Sequence, residues 1–419
     1  MMGPMSTHDA SIAIDPRRFW STVMRSGQIG PGKAGGLRRL ALTDADKEMR
    51  DLFVTWCTEA GCTITIDRVG NIFARRPGRD DHLPPVLIGS HLDTQVAGGK
   101  YDGIVGVLAG LEVLRTLDER RVATKRGLEL VCWTNEEGAR FTPPMVASGA
   151  FASVFDVDWV LALRDDDGKV FGTELERIGY DGKTDVGGRG IDAYFELHIE
   201  QGPILDREAV PVGIVVGGYA TRGMHVDVNG ETAHAGPTPM DRRRNALVGA
   251  AMLAVAVNDV GWKYHATEGK ATVARMVAWP NKAGILSEYA QLTCDVRHAE
   301  REVADRMWAE VKAAMPECAR RANVEMRIAG EWQFGSERFD PGCIRLIREA
   351  AEHLNVPHRD ILSQAGHDAY YISRIAPTAM IFTPCRDGVS HNEAEHAELD
   401  YTVPGVNVLL HAVLARANR

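Results

Sequence analysis

The sequence predicts a two-domain, mixed-sheet α/β protein with an inserted ferredoxin-like domain. Three observations carry this. Strand-like apolar runs at 86–89, 128–133, 193–199 and 376–382 alternate with helical stretches, the pattern of a mostly parallel or mixed sheet covered by helices. Between about 219 and 332 the order changes to β-α-β-β-α-β, the split pattern of a ferredoxin-like unit. The length, 419 residues, exceeds one ordinary domain. The expected boundaries are 1–216 with 333–419 for a discontinuous main domain and 217–332 for the insert.

Taken in order, residues 15–60 read as helical, closing at the glycine C-cap Gly61. The alternating 63-TITIDRVGNIFARR-76 reads as a hairpin turning at Gly70-Asn71. The buried run ending at Gly89 leads to a Val/Leu/Ala-rich helix over about 104–117. The stretch 128-LELVCW-133 is a buried strand by its length and its β-branched and aromatic content. A Gly- and Asp-rich middle section precedes the strand 193-AYFELHI-199. In the insert, strands are expected at 221–228, 271–279, 289–296 and 323–330, and helices at about 241–257 and 300–315. The run 242-RRR-244 reads as a solvated first helical turn. Beyond it come a helix at 341–354, a loop at 363–371, the strand 376–382, a loop at 383–396 and a last helix near 402–416.

Composition narrows the function classes. The hydrophobic share is 45% and the charged share 25%, ordinary for a soluble globular chain. A net charge of −9 argues against a nucleic-acid surface. No continuous apolar run of membrane-spanning length occurs. The seven cysteines are scattered without a CxxC pair, which fits a reducing compartment. The N-terminus lacks the basic and apolar regions of a leader, so a cytoplasmic protein is expected, with no fixed structure in the first dozen residues.

Ligand-type residues collect just past the strand ends. They are His91, Asp93 and Asp102 in HLDTQVAGGKYDG; 134-TNEEG-138; His198 with 200-EQG-202; and 390-SHNEAEH-396. Ligands of open α/β sheets bind outside the carboxyl ends of the strands, so the four clusters are expected to converge. Imidazoles at His91, His198 and His391 with carboxylates at Asp102 and Glu137 form a credible set for two divalent cations; zinc, manganese, cobalt and nickel all suit it. Asp102, framed by glycines and opening a helix, is the best bridging candidate. Asp93, two residues from His91 on an extended segment, can accept the second imidazole N–H and fix its tautomer; the alternative is a turn-capping residue. Of the adjacent pair Glu136-Glu137, one can bind metal while the other stays free to move a proton. The insert offers His234 in 232-TAHAGPTPM-240, Asn281 after Trp279-Pro280, and Arg297, able to grip a carboxylate.

The motifs GSHLDT (89–94), YDG (101–103), WTNEEGARF (133–141), ELHIEQGP (196–203), TAHAGPTPM (232–240), CDVRH (294–298), AGHDA (365–369) and SHNEAE (390–395) together resemble the hydantoinase/carbamoylase family of dinuclear metallo-amidases, over nearly the whole chain. The resemblance implies that His91 and His198 serve one metal, Glu137 and His391 the other, and Asp102 both, with Glu136 as general base and acid. It implies substrate contacts from Gln201, His234, Asn281, Arg297 and Gly366, with His234 also stabilising the oxyanion. It further implies an insert that closes as a lid and builds a homodimer, and a small-molecule substrate bearing a carboxylate. The activity implied is hydrolysis of N-carbamoyl amino acids, α or β. Allantoate is the nearest alternative substrate, and aminoacylase or dipeptidase action a more distant one. Two stretches depart from the family pattern, 281-NKAG-284 and 217-GGYATRGMH-225.

Overall fold

A computed structural model describes residues 12–419. The expectations for the extreme N-terminus therefore lie, but for Ile12, outside the described residues. The strands are β1 (Thr63–Ile66), β2 (Ile72–Arg76), β3 (Val86–His91), β4 (Leu128–Trp133), β5 (Ala193–Ile199), β6 (Val212–Gly218), β7 (Ala220–Asn229), β8 (Lys270–Trp279), β9 (Tyr289–His298), β10 (Glu325–Phe334), β11 (His358–Ser363) and β12 (Thr378–Thr383). They form an eight-stranded sheet, β1-β2-β4-β3-β5-β12-β6-β11, and a four-stranded sheet, β10-β7-β9-β8. The chain divides into two compact units: 12–216 with 339–361 and 366–419, and 217–338 with 362–365.

In the first unit, β3, β4, β5 and β12 are mutually parallel, while β1, β2 and β6 add antiparallel pairings. Every residue of the four parallel strands is buried. A strand covered on both faces needs apolar residues throughout, so these four read as continuous apolar runs. Helices Ile104–Glu119 and Leu399–Ala417 pack against them. Because the four strands run the same way, their carboxyl ends open at one edge of the sheet. His91, Thr134, His198 and the loop after Thr383 all lie at that edge.

The structure departs from the expected elements at several points. The 15–60 stretch is two helices, Pro16–Ser26 and Asp44–Glu59, separated by a loop containing GPGKAGG. The middle section carries three short helices, Val146–Phe151, Val157–Leu161 and Phe171–Ile178. β6 and β11 were not expected; one is the Gly-rich VGIVVGG and the other the polar, half-exposed HRDILS, and neither shows a clean apolar period.

In the second unit, helices Ala246–Tyr264 and Arg301–Ala322 pack on the antiparallel sheet. Burial along β9 alternates strictly, the mark of a sheet with one covered face. Met224, Val226, Leu253, Val257, Leu292, Met307 and Val311 form its core. The second helix runs through Pro316, where the sequence predicted it to stop. Cys318 and Ala322 continue its buried stripe past the proline, which in a helix interior costs about 3 kcal/mol. The first helix begins at Ala246, so 242-RRR-244 precedes it instead of forming its first turn. Arg243 donates to the carbonyls of Thr238 (3.1 Å) and Ala235 (2.8 Å), bracing the TAHAGPTP loop. The helix with its following turn, Ala246–Thr267, has the length and mean hydropathy (1.3) of a membrane span by composition alone.

Candidate metal centre

The edge where the parallel strands end brings the expected ligands together. His91, Asp102 and His198 form one group and Asp102, Glu137 and His391 another, the ligand atoms of each lying within 4.8 Å of one another. Asp102 belongs to both. Its Oδ1 lies 3.1 Å from His198 Nε2 and 3.8 Å from His91 Nε2; its Oδ2 lies 3.2 Å from His391 Nε2. Glu137 Oε2 is 3.4 Å from His391 Nε2.

The imidazoles are oriented for metal ligation. His91 Nδ1 donates to the Asp93 carbonyl (3.0 Å) and His198 Nδ1 to the Ile199 carbonyl (2.9 Å). Each bond places a proton on Nδ1, so that in the neutral ring Nε2, on the side of Asp102, is the nitrogen free to bind a metal. The Asp93 carboxylate was expected in that orienting role, and here the expectation needs correction. Its Oδ1 is 3.9 Å from His91 Nδ1, and its oxygens accept the main-chain N–H groups of Glu136 (3.2 Å) and Glu137 (3.3 Å). β3 ends at His91, so the period-two rule for extended chain no longer applies at Asp93. Asp93 thus shapes the turn that presents the two glutamates.

Local backbone conformation follows from the same crowding. Gly103 has φ +66°, and a Cβ there would lie 2.2 Å from His91 Nε2, so only glycine lets the turn pass this close. Asn135, Gln201 and His391, in the loops beyond the strands, also hold positive φ.

Electrostatics favour cations. Asp93, Asp102, Glu136 and Glu137 share one buried region. Burial, with Asp102 nearby, pushes Glu137 up to about 8. Burial, with Asp368, Glu137 and Asp93 nearby, pushes Glu136 well above the carboxylate range. Burial opposes charge on His198 and His391 as well, but their contacts with Asp102 and Glu137 carry both up to about 9. Protons on these histidines are the nearest positive charge to a group of crowded acids. Divalent cations bound by the same atoms would replace those protons and relieve the crowding. The N/O donor set and the preset tautomers fit such ions.

Glu136 stands beside the ligands without belonging to either group; its Oε2 is 3.4 Å from His91 Nε2. Gln201, expected among the substrate contacts, donates its amide to Asp102 Oδ2 (2.9 Å). Gly366 lies on the segment leading to the buried His367 and Asp368. In the second unit, His234 is exposed and its Nδ1 accepts the N–H of Gly236 (3.0 Å). Asn281 is exposed. Arg297 pairs with Asp295 (Nε to Oδ1, 3.1 Å) and donates to the Gln364 carbonyl (2.9 Å).

Several residues of the site were not anticipated from the sequence. The His367 ring packs edge-on against His198, centroids 4.5 Å apart, and burial with His198 nearby drives its pKa well below 6.5. Glu196 lies close enough to His198 and His367 to form a third possible ligand group. Its carboxylate, however, already accepts from Ser90 Oγ, Tyr194 OH and the Ala369 N–H, which marks it as a structural acceptor. Asp368 accepts from Ser148 Oγ. His367 and Asp368 lie in the AGHDA motif, so the signal was present although only Gly366 received a role.

Residues 87–415 match the model of peptidase family M20/M25/M40. A crystal structure of a hydantoinase/carbamoylase family amidase from Burkholderia vietnamiensis superposes with a TM-score of 0.94 at 46% identity, covering 98% of this chain and 99% of that one. The chain belongs to this amidase family. Among curated relatives of the amidase, an N-carbamoyl-L-amino-acid amidohydrolase from Rhizobium meliloti is 43% identical, covering 96% of this chain and 97% of the relative. A ureidoglycolate hydrolase from Arabidopsis thaliana is 29% identical, covering 96% of this chain and 86% of the relative. M20 enzymes are metal-dependent, in keeping with the ligand groups of the amidase's first unit.

Proposed function

We propose that this amidase hydrolyses the ureido C–N bond of N-carbamoyl amino acids, consuming one water and yielding amino acid, CO2 and ammonia. The observation that carries the reading is the shared position of Asp102 between two ligand groups, with the uncommitted carboxylate of Glu136 alongside. The similarity to N-carbamoyl-L-amino-acid amidohydrolases supports the substrate class.

In this reading His91 and His198 hold one divalent cation, Glu137 and His391 a second, and Asp102 both. Cations held there would supply Lewis-acid polarisation of the ureido carbonyl and a lowered pKa for a nearby water. Glu136 takes a proton from that water and returns it to the leaving nitrogen. Its high proton affinity suits the second half of the task, and the positive charge of cations beside it suits the first. Arg297 and Asn281 hold the substrate carboxylate, His234 donates to the developing oxyanion, and Gln201 and Gly366 line the substrate.

The second unit serves as lid and dimerisation domain. Val248, Val255 and Trp262, at seven-residue spacing, form an exposed stripe on helix Ala246–Tyr264, next to the exposed Leu247. Such an apolar stripe fits a second copy of the chain. A cytoplasmic location fits the seven free cysteines.

The deciding experiment loads the metal-free protein with zinc, manganese, cobalt or nickel. Ammonia release is then assayed from N-carbamoyl-L-methionine, N-carbamoyl-β-alanine and allantoate. Turnover of the carbamoyl amino acids is expected; activity on allantoate alone, or on acyl amino acids and peptides alone, would overturn the reading.

A further inference from the structure

His391 differs from the other ligands in how it is held. His91, Asp102 and His198 are buried, and the Glu137 side chain is 4% exposed. The His391 side chain is 50% exposed, on an irregular loop at φ 51°. Packing does not fix such a side chain, so the loop itself must.

Two carboxylates on that loop reach in different directions. Glu393 accepts the main-chain N–H groups of Lys33, Ala34 and Gly36. Glu395, 5% exposed, reaches the turn that carries Asp102. Its Oε1 accepts the N–H groups of Tyr101 (3.0 Å) and Asp102 (3.1 Å), and its Oε2 accepts from Ser390 Oγ (3.0 Å). The turn is shaped to admit it: a Cβ on Gly99 would lie 2.0 Å from Glu395 Oε1. Ser390 Oγ is also 3.2 Å from Asp102 Oδ2. A hydroxyl has one proton, so Ser390 ties the two carboxylates together by sharing it.

We propose that Glu395 and Ser390 are positioning residues that join the Asp102 turn to the His391 loop, so that the shared ligand and the exposed terminal ligand are set as one unit. This rests on the reading that Asp102 and His391 bind cations. It goes beyond that reading because it assigns work to two residues that touch neither cation nor substrate. Asp102 serves both groups, so disturbing Glu395 loosens both. Loss of His391 loosens one.

The test is calorimetric titration of Mn2+ into the metal-free full-length protein, wild type beside E395A, E395Q, S390A and H391A. E395A is expected to weaken both binding steps by roughly 10–100-fold, the usual cost of losing a partner behind the ligands. S390A is expected to weaken them less, and E395Q, whose Oε1 still accepts both N–H groups, to recover part of the loss. H391A is expected to remove one step and spare the other. Melting temperatures of the metal-free forms separate positioning from general unfolding, and S390A carries the test if E395A does not fold. Wild-type titrations in both S390A and the folded Glu395 variants would overturn the proposal. So would a loss confined to the step that H391A removes. No substrate is used, so failure to hydrolyse carbamoyl amino acids leaves this result standing, whereas absence of Mn2+ binding by the wild type overturns both.

Discussion

Gln95 grips Glu137 at both carboxylate oxygens, its main-chain N–H reaching Oε1 (3.1 Å) and its side-chain amide Oε2 (2.8 Å). The stretch 95-QVAGGK-100 thereby acquires specific tasks. Gln95 steadies Glu137, Gly98 pairs with Leu37, and Gly99 makes room for Glu395. Gln95→Ala removes both side-chain bonds to Glu137, to Oε2 and to its carbonyl (3.4 Å), and leaves the main-chain one. An affinity loss on the order of 10-fold is expected for the cation served by Glu137 and His391, read by Mn2+ titration. An unchanged titration would show that the main-chain bond suffices.

Glu136→Gln keeps the shape of the side chain and removes its ability to carry a proton. Turnover of the carbamoyl substrate is expected to fall about 10²- to 10⁴-fold, while metal content by elemental analysis stays at the wild-type value. Near-normal turnover would dismiss Glu136 as the proton carrier.

Gly103→Ala tests the close passage of the turn beneath His91. The added Cβ meets His91 Nε2 at 2.2 Å and the backbone holds φ +66°, so both ring and turn must shift. The backbone alone is expected to cost of order 1–3 kcal/mol, visible as a lower denaturation midpoint, with weakened metal binding. A variant as stable and as metal-loaded as wild type would refute the contact.

The metal-free protein should respond to pH through its histidines. His198 and His391 titrate near 9 in the folded chain against 6.5 for an ordinary histidine. The folded state therefore holds these protons more tightly than the unfolded one. The resulting stability is fully present below pH 6.5 and is lost as pH rises through about 9. Thermal melts in chelator from pH 6.5 to 9.5 are expected to show this decline, and Asp102→Asn to flatten it. A melt whose midpoint holds steady across the window in the wild type would count against the Asp102 pairings.

Trp262→Arg or Val255→Asp places charge in the exposed apolar stripe of helix Ala246–Tyr264. Sedimentation is expected to show a dimer for the wild type and a monomer for each variant. A wild-type monomer would rule out the dimer.

Much of this architecture is legible in the sequence because the relevant forces are local. The four parallel strands are buried on both faces and so leave continuous apolar runs. Their shared direction places HLDT, NEEG, HIEQG and SHNE at one edge. What stays hidden depends on partners far along the chain. The bond from Gln95 to Glu137 and those from Glu395 to Tyr101 and Asp102 leave no periodic trace, since a polar residue in a loop looks alike whether it meets water or a buried N–H. β6 and β11 escaped notice because Gly-rich and half-exposed strands carry no clean period. The Asp93 carboxylate takes the turn-capping role and not the orienting one because β3 ends at His91, two residues before it, where the spacing rule for extended chain lapses.

The candidate ligands also have an order in time. His91, Asp102, Glu137 and His198 are all synthesised before the second unit begins at residue 217, whereas His391 follows it near the C-terminus. A nascent chain therefore holds the whole first ligand group while the second still lacks a member. The centre closes only after the intervening 217–338 unit and β12 have been made. The second group can therefore be complete only once the chain has been made through His391.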